Sequence, residues 1–167
     1  LNSIANNHLI RELGIDLTMN GSCEDNGTAI GAALAVHHAM TGQRIAEPIS
    51  DYYGRDYADA EIQGAIGRSG LYAEKLPTSE LLRLTASALA DGSIVGWFYG
   101  RSEFGPRALG NRSILADPRD PDMPRRLNAE VKFREAFRPF APAVHANRVG
   151  EFFDIDDPSP MMLRIVP

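Results

Sequence analysis

Apolar positions recur at helical spacing over residues 1–13, with Ile4, Leu9 and Leu13 among polar neighbours, and predict a first helix. Residues 15–19 alternate and predict a short strand, followed by a turn at Asn20-Gly21-Ser22. Residues 28–40 are rich in Ala and aliphatic side chains. They predict a buried helix with Asp25 or Asn26 near its N-cap and Gly42 at its end. Residues 43–55 hold Pro48, two tyrosines and Gly54 without a sustained period, and read as a linker. A polar-rich helix is expected over 56–68 and a strand over 71–75. A further helix is expected from Pro77 to about Ala90, capped by Thr78 or Ser79 and stopped at Asp91-Gly92. Beyond it come an apolar strand over 93–99, a loop rich in Gly and Arg over 101–111, and a strand over 112–116. A helix over 121–131, a strand over 140–145, a short helix over 147–153 and a strand over 161–166 complete the pattern. Helices alternating with short strands give an α/β fold class.

Composition narrows the class. The 167 residues are 44% hydrophobic and 23% charged, which is globular and excludes a disordered chain. The single cysteine, Cys23, excludes a disulfide framework and a multi-cysteine zinc site, and reads as a buried thiol. No apolar run approaches membrane-spanning length, and no signal peptide is evident. The chain begins at Leu1 rather than Met, and its last residues read like an unfinished strand. It is therefore expected to be an internal piece of a longer protein.

Charge is distributed unevenly. The net charge is −5, yet residues 101–138 carry nine basic and six acidic side chains, leaving the remainder at −8. Eight of the nine basic residues are Arg, whose planar fork grips phosphate or carboxylate oxygens. A local Arg excess in an acidic chain favours a small anionic ligand over a nucleic-acid face, which calls for wider basic coverage. The alternative is a solvated, salt-bridged surface.

Three stretches have the residue types for chemistry. The first, residues 100–113, follows an apolar strand, where α/β sheets bind ligands. Gly100, Gly105 and Gly110 allow backbone amides to approach an anion; Arg101, Arg107 and Arg112 can surround its oxygens, and Ser113 offers a hydroxyl. The bland alternative pairs these arginines with Glu103 and Asp117. The second stretch is 132–142. Extended, it would put Lys132 and Arg134 on one face, with Phe133 and Phe137 anchoring the other, as a grip for nucleotide phosphates. An amphipathic segment with exposed cations fits the same pattern. The third is Asp25-Asn26-Gly27-Thr28 at a helix start, where Asp25 binds a metal or caps the helix. His37 and His38 adjoin on a helix and point apart, so they form no metal pair; His8 and His145 are isolated and read as structural. Trp97, Phe98 and Tyr99 fill core beside the strand, although one ring could stack on a base.

The run 96–113, continued by Ile114-Leu115-Ala116-Asp117-Pro118-Arg119, resembles the signature of the O-carbamoyltransferases of nodulation-factor and antibiotic tailoring. Leu127-Asn128, Val131-Lys132-Phe133-Arg134-Glu135 and Phe137-Arg138-Pro139-Phe140-Ala141-Pro142 continue the likeness in order. Leu1-Asn2-Ser3 with Asn6, and residues 25–34, resemble the end of the preceding domain. The likeness implies residues 1–45 as the tail of an actin-like (ASKHA) carbamoyl-transfer domain, 46–55 as linker, and 56–167 as a C-terminally truncated YrdC-like adenylate-forming domain. That domain would be an open, twisted mixed sheet with flanking helices.

The resemblance also implies roles. The family's C-terminal module forms carbamoyl-adenylate from carbamoyl phosphate and ATP with Mg²⁺. The transfer module then passes the carbamoyl group to a hydroxyl of a sugar, nodulation-factor or antibiotic-type acceptor, with a bound iron-type metal. Lys132 and Arg134 match the Lys-x-Arg pair that holds phosphate and nucleotide, and with Arg107 they form the expected catalytic set. Arg101, Arg107, Arg112 and Ser113, with Arg138, are expected to bind carbamoyl phosphate, and Asp25 to bind the metal. Positioning and electrostatic stabilisation suffice for such chemistry, and no dedicated nucleophile is evident. The acceptor cannot be read, because the transfer module selects it. A bacterial cytoplasmic setting, no membrane or nucleic-acid partner, and an oligomeric state compatible with a homo-oligomer complete the expectation. The competing readings are a YrdC-like RNA-modification or RNA-binding module and a non-catalytic relic.

Overall fold

The computed structural model describes residues 2–45, 50–155 and 158–166. Among them the order is α1 (Ser3–Leu13), α2 (Asp25–Thr41), α3 (Asp59–Ser69), α4 (Thr78–Ala90), β1 (Val95–Phe98), β2 (Arg112–Leu115) and α5 (Met123–Arg126). A π-helical turn, Leu127–Lys132, continues α5, and a 3-10 turn follows at Ala146–Glu151. The architecture is mixed α/β, and its sheet is a single antiparallel pair, with Val95 opposite Leu115 and Phe98 opposite Arg112.

The chain forms two compact units. One comprises Leu1–Gly54, Ser102–Leu109 and Ala143–Pro167; the other comprises Arg55–Arg101 and Gly110–Pro142. In the first unit, Ile155, Leu163, Ser22 and Asp51 are buried. Its helices start and stop for local reasons. The Asn2 side chain accepts from the Ala5 amide at the start of α1, and Gly42, at φ 71°, ends α2 by donating to His38 O. The N-cap of α2 is Glu24, which makes no side-chain cap, so Asp25 is the first helical residue rather than the cap. Asn6 Nδ2 donates to Leu163 O at 3.0 Å and Arg11 pairs with Asp154 at 2.8 Å, tying α1 to residues from the far end of the chain.

In the second unit, Met123, Leu127 and Asn128 are buried. Glu61 in the first turn of α3 reaches back to the Ala58 amide at 3.0 Å and pairs with Arg55. The N-cap of α4 is Pro77, so neither Thr78 nor Ser79 caps it. Arg126 Nη1 donates to Gly92 O at 3.3 Å, joining α5 to the turn between α4 and β1.

Several expected elements are absent. Residues 15–19, 71–75, 140–145 and 161–166 are not strands. The helix expected over 121–131 is α-helical for only one turn before it widens into the π-turn. Helix α2, expected to be buried, contains no buried residue, and Met40 is 81% exposed. Cys23 is an exposed thiol, its Sγ 2.7 Å from Asn20 O, which overturns the buried reading. Among the described residues no helix is long and apolar enough to cross a membrane. Residues 46–49 of the expected linker lie outside the described residues.

Candidate functional site

The antiparallel pair sets the geometry of the two ends of the Arg-rich stretch, residues 99–101 and 110–113. Its two strands are closed by a bond from the Tyr99 amide to Asn111 O at 3.0 Å. Arg112 begins β2 opposite Phe98, and its guanidinium carbon sits 3.4 Å from the Phe98 ring centroid. The same guanidinium donates to Tyr99 O, Gly100 O and Asn111 O at 2.7–3.0 Å. Arg112 thus gathers the carbonyls of the loop ends through the two terminal nitrogens of one planar fork. Asn111 Nδ2 donates to Arg101 O at 2.7 Å, and the Gly110 amide donates to Ser113 Oγ at 3.0 Å. Arg101 itself is exposed, and its side chain meets no hydrogen-bond or ion-pair partner among the described residues. Asp117 pairs with Arg119 rather than with a loop arginine. Hydrogen bonds from the Arg119 side chain, then its backbone, bring the Asp117 carboxyl down to about 2.

The second stretch is organised by Asn128, which is 1% exposed. Its Oδ1 accepts from Arg134 Nε at 2.7 Å, and its Nδ2 donates to Ala136 O and Arg138 O at 3.4 and 3.3 Å. Its backbone carbonyl takes the amides of Phe133 and Arg134. The turn from 128 to 138 therefore wraps around one amide side chain. Arg134 is fixed further by Pro139 O at 3.3 Å and by the Phe140 ring 4.7 Å away. Lys132, last residue of the π-turn, is exposed and has no hydrogen-bond or ion-pair partner among the described residues. Arg138 pairs with Glu135 at 3.0 Å.

Two expectations about this stretch are overturned. Lys132 and Arg134 are not on one face of an extended segment, because Phe133 between them adopts the left-handed conformation at φ 48°. Phe133 and Phe137 anchor nothing, being 82% and 83% exposed. What takes their place is the hydrogen-bonding of Asn128.

Arg107 lies in the first unit, on the loop Ser102–Leu109, together with Asp25. Its Nε is buried without a hydrogen-bond partner. Asn26, next to Asp25, donates through Nδ2 to Phe104 O at 3.1 Å, so the start of α2 and the Arg107 loop are in contact. Asp51, 2% exposed, has both carboxylate oxygens buried without a partner that meets hydrogen-bond geometry. Burial pushes its pKa up, with the Gly21 amide working the other way. Asp25 is an exposed carboxylate on the first turn of α2. Among the described residues no three His, Cys, Asp or Glu side chains gather as a metal site, so Asp25 offers a single ligand. Asp51 carried no sequence signal, being a single polar residue in a segment that reads as linker; Asn128 stood in a motif of the family resemblance, but nothing in its pattern marked it as the centre of the turn.

Residues 86–167 match the family described as Carbamoyltransferase C-terminus. An uncharacterised protein of Synechocystis is 41% identical across 98% of this chain and 28% of its own length. The nodulation protein NolNO of Sinorhizobium fredii is 39% identical over 99% of the chain and 25% of its own. The 3'-hydroxymethylcephem-O-carbamoyltransferase of Streptomyces clavuligerus is 37% identical over 83% of the chain and 25% of its own. The chain thus spans between a quarter and a third of the length of these relatives.

Proposed function

Since the chain belongs to the carbamoyltransferase family, we propose that it supplies part of an ATP-dependent O-carbamoyltransferase, the part that forms carbamoyl-adenylate from carbamoyl phosphate and ATP. The activated carbamoyl group is destined for a hydroxyl of a small acceptor of the nodulation-factor or antibiotic type, in keeping with the names of the relatives. A YrdC-like domain preceded by the tail of an actin-like domain, working in the cytoplasm, belongs to the same reading.

The observation that carries it is the division of labour among the cations. Arg112 and Arg134 are held by the protein, the first on three carbonyls and the second on Asn128 and Pro139. Arg101 and Lys132 extend into solvent, their charge uncommitted to any described residue. The fixed guanidinium groups give a shaped positive field, and the exposed Arg101 guanidinium and Lys132 ammonium remain to meet the ligand. Water releases phosphate from carbamoyl phosphate, and the carbamate oxygen so formed bonds to the α-phosphorus of ATP as pyrophosphate departs; charge accumulates on the phosphoryl oxygens in both steps, where this combination of cations stabilises it. Mg²⁺ travels with ATP and neutralises part of the triphosphate charge.

Calorimetric titration of Mg²⁺-ATP and of carbamoyl phosphate, each into the chain and its Lys132→Ala variant, tests the reading. Loss of one charge-assisted contact worth ~1.5–3 kcal/mol predicts at least a tenfold weaker Kd for the nucleotide. Equal affinity in the two proteins removes Lys132 from the site.

A further inference from the structure

Residues 50–54 fall in the stretch that reads as a linker, yet within the first unit they brace the loop Ser102–Leu109 at both its ends. At the start of the loop, the Gly54 amide donates to Ser102 O at 2.9 Å and the Phe104 amide donates to Asp51 O at 2.6 Å. At its end, the Tyr52 hydroxyl donates to Leu109 O at 3.1 Å, while the Leu109 amide closes on Glu103 Oε1 at 2.6 Å. Asn26 holds the Phe104 carbonyl as well.

The backbones cross too closely for side chains. A Cβ on Gly105 would stand 2.7 Å from Gly21 O, and one on Gly54 would stand 2.6 Å from Ser102 O. Only glycine permits both crossings. A loop that merely connects two elements is held at its ends by those elements and moves between them. This one is fastened along its length by a segment about fifty residues earlier in the chain.

The braced loop carries Gly105-Pro106-Arg107. Arg107 has no hydrogen bond or ion pair with another described residue, and its Nε is buried without a partner. With no polar partner on its side chain, the reach of this guanidinium is set by where the loop backbone roots it and by the packing that buries Nε. We propose that Tyr52, with the backbone of 51–54, is a positioning element that aims Arg107 at an anionic phosphate-bearing ligand. The inference rests on the reading of Arg107 as a carbamoyl phosphate ligand. Tyr52 itself touches no ligand in this arrangement: it acts on the loop, and the loop carries the cation.

The test uses the whole chain, its Tyr52→Phe, Arg107→Ala and doubly substituted variants, and carbamoyl phosphate as probe. Tyr52→Phe keeps the ring and removes only the hydroxyl bond to Leu109. Faster amide hydrogen exchange confined to residues 102–109 is expected, with the melting temperature little changed. Calorimetry is expected to show carbamoyl phosphate bound five- to tenfold more weakly by Tyr52→Phe, and no further loss when Tyr52→Phe is added to Arg107→Ala. Unchanged exchange in 102–109 overturns the brace. So does an equal loss of affinity on both backgrounds, because Tyr52 would then act without Arg107. Weak binding by Arg107→Ala beside unchanged binding by Tyr52→Phe overturns the positioning role alone. Unchanged binding by Arg107→Ala overturns the role of Arg107 itself, and the inference with it.

Discussion

Asn128→Ala removes the one side chain around which residues 128–138 are folded. Three bonds go with it. The bond from Arg134 Nε is short, at 2.7 Å, and charge-assisted, whereas those to Ala136 O and Arg138 O are long, at 3.4 and 3.3 Å. A charge-assisted bond contributes ~1.5–3 kcal/mol, and the half-exposed setting of Arg134 places this one at the low end. The two long bonds add about 0.5 kcal/mol each, and the void left at a site only 1% exposed adds roughly another 1 kcal/mol. The sum is about 3.5 kcal/mol, a shift of a few hundredfold in the unfolding equilibrium of the second unit. Trp97, the only tryptophan, lies in β1 of that unit, so urea unfolding followed by its fluorescence reads the right transition. About half of the loss passes through Arg134, and the same substitution on an Arg134→Ala background is expected to cost correspondingly less. A loss below about 0.5 kcal/mol, the range of ordinary surface changes, refutes the idea that Asn128 organises this turn.

Two further predictions concern groups under local stress. The Asp51 carboxyl has a folded pKa raised by burial, so the folded state binds its proton more tightly than the unfolded state. Its contribution is therefore favourable at low pH and is lost as pH rises from about 4, the unfolded value, through the raised folded value. Asp51→Asn is expected to flatten that part of the stability–pH curve, checked by thermal melts across pH 3–7; an unchanged slope sinks the assignment. Phe133 holds a left-handed backbone at φ 48° while 82% exposed, so its ring gains little from burial. Phe133→Asn is expected to stabilise the second unit by ~1 kcal/mol in the same Trp97-monitored urea melt, and a destabilisation would mean that the ring is packed.

The helices and the antiparallel pair were legible because their signals are local. Gly42 ends α2 where its position in the pattern says it should, and the two strands flank the Gly- and Arg-rich loop as their apolar runs require. The four further strands expected did not form, although their short apolar runs look like those of β1 and β2. A strand needs a neighbour to take its backbone bonds, and that neighbour is not written in the run itself. The candidate site was legible as a set of cations but not as an arrangement. Sequence spacing put Lys132 and Arg134 side by side on an extended chain, whereas a π-turn and one left-handed residue separate them. Arg112 read as a ligand for an anion and is engaged with three carbonyls of its own loop. Tyr52 and Asp51 carried no signal, because their contacts span about fifty residues and follow no period.

The brace also constrains the order in which this chain can fold as it leaves the ribosome. The first unit draws on three separate lengths of sequence, and its last length begins only at Ala143. Helices α1 and α2 are made before the rest of the first unit and cannot be completed as a unit until residues from Ala143 onward have been made. The second unit has all its residues by Pro142 and can reach its final contacts sooner. Domains usually finish from the N-terminus onward during synthesis. Here the segment that holds α1 and α2 waits, and the interval during which α2 stands without the loop that later rests on its first turn lasts for the synthesis of some sixty residues, from Thr41 to Ser102. At ~5–20 residues per second that is a delay of several seconds, long compared with the microseconds in which a helix forms.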